Sequence, residues 1–404
     1  MKILRYLIYF IFITFLFGAC FSFWNGDEDN LTIVWGNTGN NRNFVSEEDL
    51  PNLRFTVTLT GPGSKQEETF TGVPSASFKV IPGLWTVTIK GEGPNSNETV
   101  PGLEYDLELK VMGIEQVQVT DGRNDPKSIK IYTVTEVNSW VELNFAINLS
   151  STYSEFDIEY PREELIILRD GEAGYIPVST LETINIQRPI ILISEVPVEI
   201  VRVSTSYSLF AVGMNGSLTL GLNGMPGTIT IRGGDVGSPD TLIRVEGNDG
   251  NASLVINSGV TLTEGMNHFD PLAGSGTGNG GAVTMRGQNA LFSLNGGSIK
   301  GNFADKGGGV FITEGAKFYM YSGSISGNNA EEIAEENAFG DGGGVYMEGD
   351  SVFEMHGGSI SGNFAARRGG GVYSSRSASF SNYGGTISNN KSELGANVYI
   401  ETII

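Results

Sequence analysis

Few residues of this sequence are of the types that usually carry out chemistry. The 404 residues include two histidines and a single cysteine, Cys20, which leaves few ligands for zinc or iron and allows no disulfide within the chain. Hydrolysis of a glycosidic bond requires a pair of carboxylates around the sugar, yet Asp305, Asp341 and Asp350 of the glycine-rich region are scattered. We therefore predict no catalytic residue, no metal site and no cofactor.

One glycine-rich segment has the spacing of a phosphate-binding loop. Gly276, Gly278 and Gly281 match the pattern GxGxxG, in which the glycines let the backbone approach a phosphate at the start of a helix. Here the segment leads into Ala282–Met285, whose residues are typical of a strand and not of a helix. We therefore interpret it as an ordinary loop.

The cysteine follows a segment that is typical of exported bacterial proteins. A basic start precedes the hydrophobic run Leu7–Ala19, which is too short to span a membrane comfortably and suits a signal peptide. Small residues before Cys20 resemble a bacterial lipobox, whose cysteine is acylated. We predict a signal peptide at residues 1–19, a lipidated tether at 20–30, and attachment to the cell envelope, at the outer membrane or cell surface. The alternative is a secreted protein with a chance cysteine.

The charge of the chain limits its partners. Acidic residues number 46 and basic residues 25, which gives a formal net charge of −21. Such a surface repels polyanions. Nucleic acid is therefore not expected as a partner, and contact with a membrane is expected only through the lipid on Cys20.

Residues 31–136 alternate in the way that half-buried strands do. Segments such as Phe55–Leu59 and Trp85–Ile89 place apolar residues at every second position, and the turn residues Gly61–Gly63 separate two of these segments. Such a pattern is typical of an antiparallel sheet with one buried face. We predict an Ig-like β-sandwich for this region.

The pattern changes at residue 140 to strands separated by short polar turns, and from residue 280 the sequence repeats. The valines that open successive repeats are Val283, Val310, Val345, Val372 and Val398. Their spacings are 27, 35, 27 and 26 residues, the long one being due to an insertion at 329–341. This period is typical of a solenoid. We predict an all-β chain in which the sandwich is followed, over 140–404, by a right-handed parallel β-helix with 27-residue coils.

Two columns of equivalent residues follow from this alignment. A polar column should form a structural asparagine ladder along the stacking axis: Asn302, Asn328, Asn363 and Asn390. An outward column of aromatic residues forms a candidate binding stripe: Phe311, Tyr346, Tyr373 and Tyr399. If these rings are exposed, they could stack on sugars or on apolar groups of a partner. The alternative is that they only stabilise neighbouring strands.

Neither histidine is interpreted as a metal ligand. His356 ends its strand at the position that Asn295, Tyr321 and Tyr383 occupy in other repeats, so it is predicted to be a surface residue. His268 lies in a polar loop. Isolated histidines of this kind lack the neighbouring ligands that a metal site requires.

The repeats resemble those of bacterial surface proteins. Gly280–Val283 followed by Phe292–Asn295 is similar to the GGA[IV]…FxxN repeat of polymorphic outer membrane proteins, and the later coils are similar to repeats of adhesin-like surface lipoproteins. The resemblance implies a β-helix platform for adhesion or for binding a glycan or a host protein. The alternatives are a non-catalytic structural or antigenic coat protein and, with less support, a polysaccharide lyase or hydrolase.

Overall fold

A computed structural model describes residues 31–35, 52–73, 75–94, 108–122, 124–152, 164–171, 174–178, 183–203, 207–233, 240–267, 278–331 and 340–402. The chain is nearly all β, as predicted, with parallel sheets curled into a half-barrel. It divides into two compact units, Met1–Ile131 and Tyr132–Ile404.

The described part of the first unit consists of mostly antiparallel strands around one core. The strands are β1 (Leu31–Trp35), β2 (Arg54–Gly61), β3 (Ser64–Thr71), β4 (Ser75–Phe78), β5 (Gly83–Pro94), β6 (Glu108–Val119) and β7 (Lys127–Ile129). β2 pairs antiparallel with β3 and β5, and β5 with β6. β1 pairs antiparallel with β4 and parallel with β7. Alternate side chains of both sheets, Trp35, Phe55 and Trp85 among them, share one buried core.

The second unit begins with β8 (Tyr132–Val137), which pairs in parallel with β9 (Glu164–Leu168). The sequence analysis had placed residues 132–136 in the first region, because a short alternating strand does not reveal its partner. Residues 204–206 and 234–239, among others, lie between described segments.

A helix that was not predicted follows β8. Helix α1 (Trp140–Thr152) begins at a capping box: the Ser139 hydroxyl accepts the backbone N–H of Glu142 at 3.2 Å, and the Glu142 carboxylate accepts that of Asn138 at 2.9 Å. Its buried residues, Trp140, Leu143 and Ile147, have helical spacing and join the core of the unit. The Ser-x-x-Glu pattern was the available signal for this helix.

Parallel strands of the second unit stack into four sheets. Sheet I contains β8, β9, β12 (Pro189–Ser194), β15 (Ser217–Leu220), β18 (Ala252–Asn257), β22 (Ala290–Lys300), β25 (Lys317–Ser326), β28 (Val352–Met355) and β32 (Ser379–Asn382). Sheet II contains β10 (Ile176–Val178), β13 (Val198–Arg202), β16 (Ile229–Arg232), β19 (Val260–Thr263), the second parts of β22 and β25, β29 (Ser359–Ser361) and β33 (Thr386–Ser388).

The other two sheets contain the remaining described strands of the unit, eight in one and four in the other. Sheet III contains β11 (Ile184–Ile186), β14 (Phe210–Gly213), β17 (Ile243–Glu246), β21 (Val283–Arg286), β24 (Val310–Thr313), β27 (Val345–Met347), β31 (Val372–Ser374) and β34 (Val398–Ile400). Sheet IV contains β20 (Met266–Asn267), β23 (Phe303–Ala304), β26 (Asn329–Ala330) and β30 (Phe364–Ala365).

Equivalent side chains of successive coils stack on one another inside the unit. The rings of Phe292, Phe318 and Phe353 are buried, and consecutive ring centroids lie 4.5 Å apart. Ile325 pairs with Ile360 in the same way across sheet II. A continuous hydrophobic core therefore follows the stacking axis, and the outward residues of each sheet form columns of their own.

Candidate functional site

The predicted binding stripe forms a stacked column on sheet III, but the stripe is not exposed. Ring centroids lie 5.3 Å apart between Phe311 and Tyr346, 4.7 Å between Tyr346 and Tyr373, and 5.8 Å between Tyr373 and Tyr399. Phe311, Tyr346 and Tyr373 are only 1, 5 and 3% exposed. The expectation of an open stacking platform at this position is therefore wrong. We call this column the buried stripe.

The turn that enters each sheet III strand covers the buried stripe. Gly342 adopts a left-handed φ of +68°, and a Cβ there would lie 2.7 Å from the Cβ of Tyr346. The Lys306 ammonium lies 5.3 Å from the Tyr346 ring centroid, and the Arg368 guanidinium 4.7 Å from that of Tyr373. These cations pack over ring faces that a ligand would need.

An ion cluster of Asp341, Arg367 and Arg368 holds the turn that covers the buried stripe. The side chain of Asp341 is 1% exposed, and its carboxylate accepts hydrogen bonds from both Arg367 and Arg368. Burial of this carboxyl opposes its ionisation, but the hydrogen bonds and charges of the two arginines outweigh burial and lower its pKa. Ionised Asp341 therefore stabilises the fold above the usual pKa of an aspartate, and that stability is lost as the pH falls through the lowered value.

The Tyr346 hydroxyl also has a structural partner. It donates to the Glu348 carboxylate at 2.9 Å, and burial together with that nearby negative charge raises the pKa of Tyr346 far above its ordinary value. The phenol therefore stays neutral. Its one hydroxyl hydrogen is already donated within the protein, so the phenol has no further hydrogen bond to donate to a ligand.

The predicted asparagines form a continuous buried ladder at the turn after sheet II. Backbone and side-chain N–H groups of Asn302 both donate to the Oδ1 atom of Asn328, at 3.0 and 2.9 Å. Asn328 contacts Asn363 in the same way, at 2.9 Å for both bonds, and Asn363 contacts Asn390. Each Nδ2 also donates to a backbone oxygen, for example that of Asn328 to Ile299 at 3.0 Å. This column is structural.

The exposed aromatic column of the unit lies on sheet I instead. Tyr321 is 51% and Tyr383 66% exposed, and the His356 side chain between them is 36% exposed. The His356 ring stacks on both neighbours, with centroids 5.2 Å from Tyr321 and 5.1 Å from Tyr383. We call these three residues the surface ladder. On the neighbouring strand β22, a register shift pairs Asn295 with Ser322 and not with Tyr321, so the surface ladder has three members.

A polar column runs beside the surface ladder on the same face. Register pairs Ser293 with Tyr319, Tyr319 with Glu354, and Glu354 with Ser381. Glu354 and His356 are in contact, with 3.1 Å between Oε2 and Nε2. Partial burial is the main cause that raises the pKa of Tyr319, and the nearby Glu354 and Tyr321 raise it further. This flanking column therefore offers a hydroxyl or a carboxylate in each of four coils.

The repeat pattern places the three members of the surface ladder at equivalent positions but does not predict a stacked, exposed column. His356, Tyr321 and Tyr383 were interpreted as ordinary strand-end residues. The signal in the sequence was that Tyr321 and His356 directly follow the inward residues Met320 and Met355. Exposure depended on the path of the turns, which the repeat alone did not reveal.

The other predicted features have simpler outcomes. Cys20, His268 and Gly276 lie outside the described residues, as does the segment 1–30. Within the described residues no group of three or more His, Cys, Asp or Glu side chains could hold a metal ion. The described helices include none that is long and apolar enough to cross a membrane.

The surface ladder and the flanking column lie side by side on sheet I. Aromatic rings provide apolar faces and polar edges, while the flanking column supplies hydrogen-bonding groups at the same spacing. No protein-family model matches this chain, and comparison with curated proteins and with solved structures finds no significant match. The function must therefore be argued from the site itself.

Proposed function

We propose that this chain is a non-catalytic, lipid-anchored protein of the bacterial cell surface that binds an extracellular ligand through the surface ladder. The observation that carries the proposal is the stacked, exposed column of Tyr321, His356 and Tyr383. Exposed, adjacent aromatic side chains are costly to leave in water, and clusters of them mark interaction sites. An inert coat protein would have no need of such a column.

The proposal includes the architecture. We assign the second unit to a right-handed parallel β-helix and the first to an Ig-like β-sandwich. The described pairings among sheets I to IV are parallel, and the later ones repeat in register apart from β-bulges where β22 pairs with β18 and β25, which suits a β-helix. The two sheets of the first unit share one core, which suits a sandwich. An elongated β-helix would present the surface ladder on a rigid face.

Removing the two tyrosines of the surface ladder should weaken binding without unfolding the protein. Tyr321→Ser combined with Tyr383→Ser is expected to weaken binding of the full-length protein to its ligand on a glycan and matrix-protein array at least tenfold, because each aromatic contact contributes about 1 kcal/mol. The melting temperature should change little, since both side chains are more than half exposed. Tyr207→Ser is the matched control: Tyr207 is 50% exposed and lies outside the ladder. Equal losses in both variants, or none in either, would contradict the proposal.

The lipid anchor has a separate test. Cys20→Ser should abolish incorporation of labelled palmitate, because a serine cannot carry the thioether-linked lipid, and should release the protein from the membrane fraction or leave it unprocessed. Wild-type protein grown in parallel is the reference. Equal labelling of the variant and the wild type would overturn the anchor while leaving the binding surface intact.

A further inference from the structure

The ligand class follows from the repeat distance of the surface ladder. Successive ring centroids are 5.2 and 5.1 Å apart along the stacking axis, close to the spacing of about 4.8 Å between neighbouring strands. A polymer that contacts each coil in the same way must repeat at this distance. An extended peptide advances about 3.3 Å per residue and stacked nucleotides about 3.4 Å, so both lose register. The length of one pyranose residue along an extended β-1,4-linked glycan matches the distance between successive rings.

The two columns supply the contacts that a sugar requires. The stacked rings of Tyr321, His356 and Tyr383 cover one another's faces and present a row of edges to a chain that lies along the axis. A pyranose can lie against these edges through its C–H groups, while its hydroxyls reach the tyrosine hydroxyls and the flanking column. The flanking column presents Ser293, Tyr319, Glu354 and Ser381 to those hydroxyls, one group for each coil. Apolar and polar contacts are therefore repeated together from coil to coil.

Charge selects among the glycans. Glu354 lies in the middle of the flanking column, and the whole chain carries a net charge of −21. A carboxylate at this position accepts hydrogen bonds from sugar hydroxyls but repels the carboxylate of a uronic acid. The surface therefore favours an uncharged glycan over a polyuronate.

Resting on the proposed binding function of the surface ladder, we propose that the ligand is a linear, uncharged β-linked polysaccharide that lies along the stacking axis with one sugar residue for each coil. The flanking column of Ser293, Tyr319, Glu354 and Ser381 is in register over four neighbouring strands. The site therefore accommodates about four sugar residues.

Titration calorimetry of the full-length protein with β-1,4-linked glucose oligomers of two to six units tests this assignment. Affinity should rise about fivefold with each unit up to four units and then level off. Galacturonate oligomers of equal length should bind at least tenfold more weakly. Glu354→Gln should reduce that discrimination, whereas Glu199→Gln, a change of equal charge on β13, should not.

The outcomes separate this inference from the function on which it rests. If an array ligand is lost in the Tyr321 and Tyr383 double variant but no neutral oligomer binds, the glycan assignment is overturned and the binding surface stands. Self-association that disappears in the same variant would also overturn the glycan, in favour of a second copy of the chain. If the double variant loses nothing on the array, the proposed function itself fails.

Discussion

Phe353→Asp is expected to unfold the second unit. Phe353 is fully buried, and its ring lies 4.5 Å from that of Phe318 and 5.1 Å from that of Phe380. Loss of a buried phenylalanine costs about 3 to 5 kcal/mol, and an unpaired buried carboxylate adds several more. The sum is comparable with the whole stability of a typical domain. Urea denaturation, monitored by circular dichroism, measures this loss in the free energy of unfolding.

Two comparisons make this prediction specific. Phe364→Asp places the same charge in the same coil, but Phe364 is 39% exposed, so the cost should stay below about 1 kcal/mol. Deletion of residues 345–371 removes one coil and brings β31 onto β24, which keeps the stacking because each coil contacts only its neighbours. If the deletion destabilises the protein more than Phe353→Asp does, the register of the coils described above is wrong.

Asn328→Ala should strongly destabilise the second unit. The Oδ1 atom of Asn328 accepts two N–H groups of Asn302, and its Nδ2 atom donates to the carbonyl of Ile299. Alanine removes the acceptor of the Asn302 backbone N–H and of one Asn302 amide hydrogen, and the donor to Ile299 and Asn363. Each buried group that is left without a bond costs about 1 to 3 kcal/mol. We expect a loss of about 3 to 6 kcal/mol in the free energy of unfolding, measured by urea denaturation.

The control for the ladder is an asparagine outside it. Asn295 is partly exposed and makes one long side-chain bond, 3.4 Å, to Asn257. Asn295→Ala should therefore cost less than about 1 kcal/mol. A similar cost for the two substitutions would mean that water replaces the lost bonds of the ladder, which would then add little to stability.

Much of the second unit could be predicted because the same strands repeat along a single axis. A period near 27 residues fixes which residues lie above one another, so the columns of Phe318, Ile325 and Asn328 could be identified without knowing how the chain closes each coil. The predicted parallel arrangement needs no long-range information beyond this repeat. The all-β class followed from the same alternation.

What could not be predicted depends on the turns. An outward position on a strand predicted exposure for Tyr346, but the turn containing Gly342 folds over that ring and buries it. The same outward position on sheet I leaves Tyr321 open. Helix α1 was missed for a different reason: it occurs once, so the repeat gave no information about it, and only the local capping residues Ser139 and Glu142 marked its start.

The ion cluster around Asp341 also bears on how such a protein can diversify. One residue separates Ala304 from Lys306, whereas residues 331–340 separate Ala330 from the equivalent Asp341. Ala330 is held in sheet IV, and Asp341 bridges to Lys306 and Arg368, so both ends of the longer segment are fixed by neighbouring coils. The entropy of closing a loop grows only slowly with its length. Evolution or a protein engineer can therefore replace the segment between Ala330 and Asp341 by one of another length. The register of the neighbouring strands would not change.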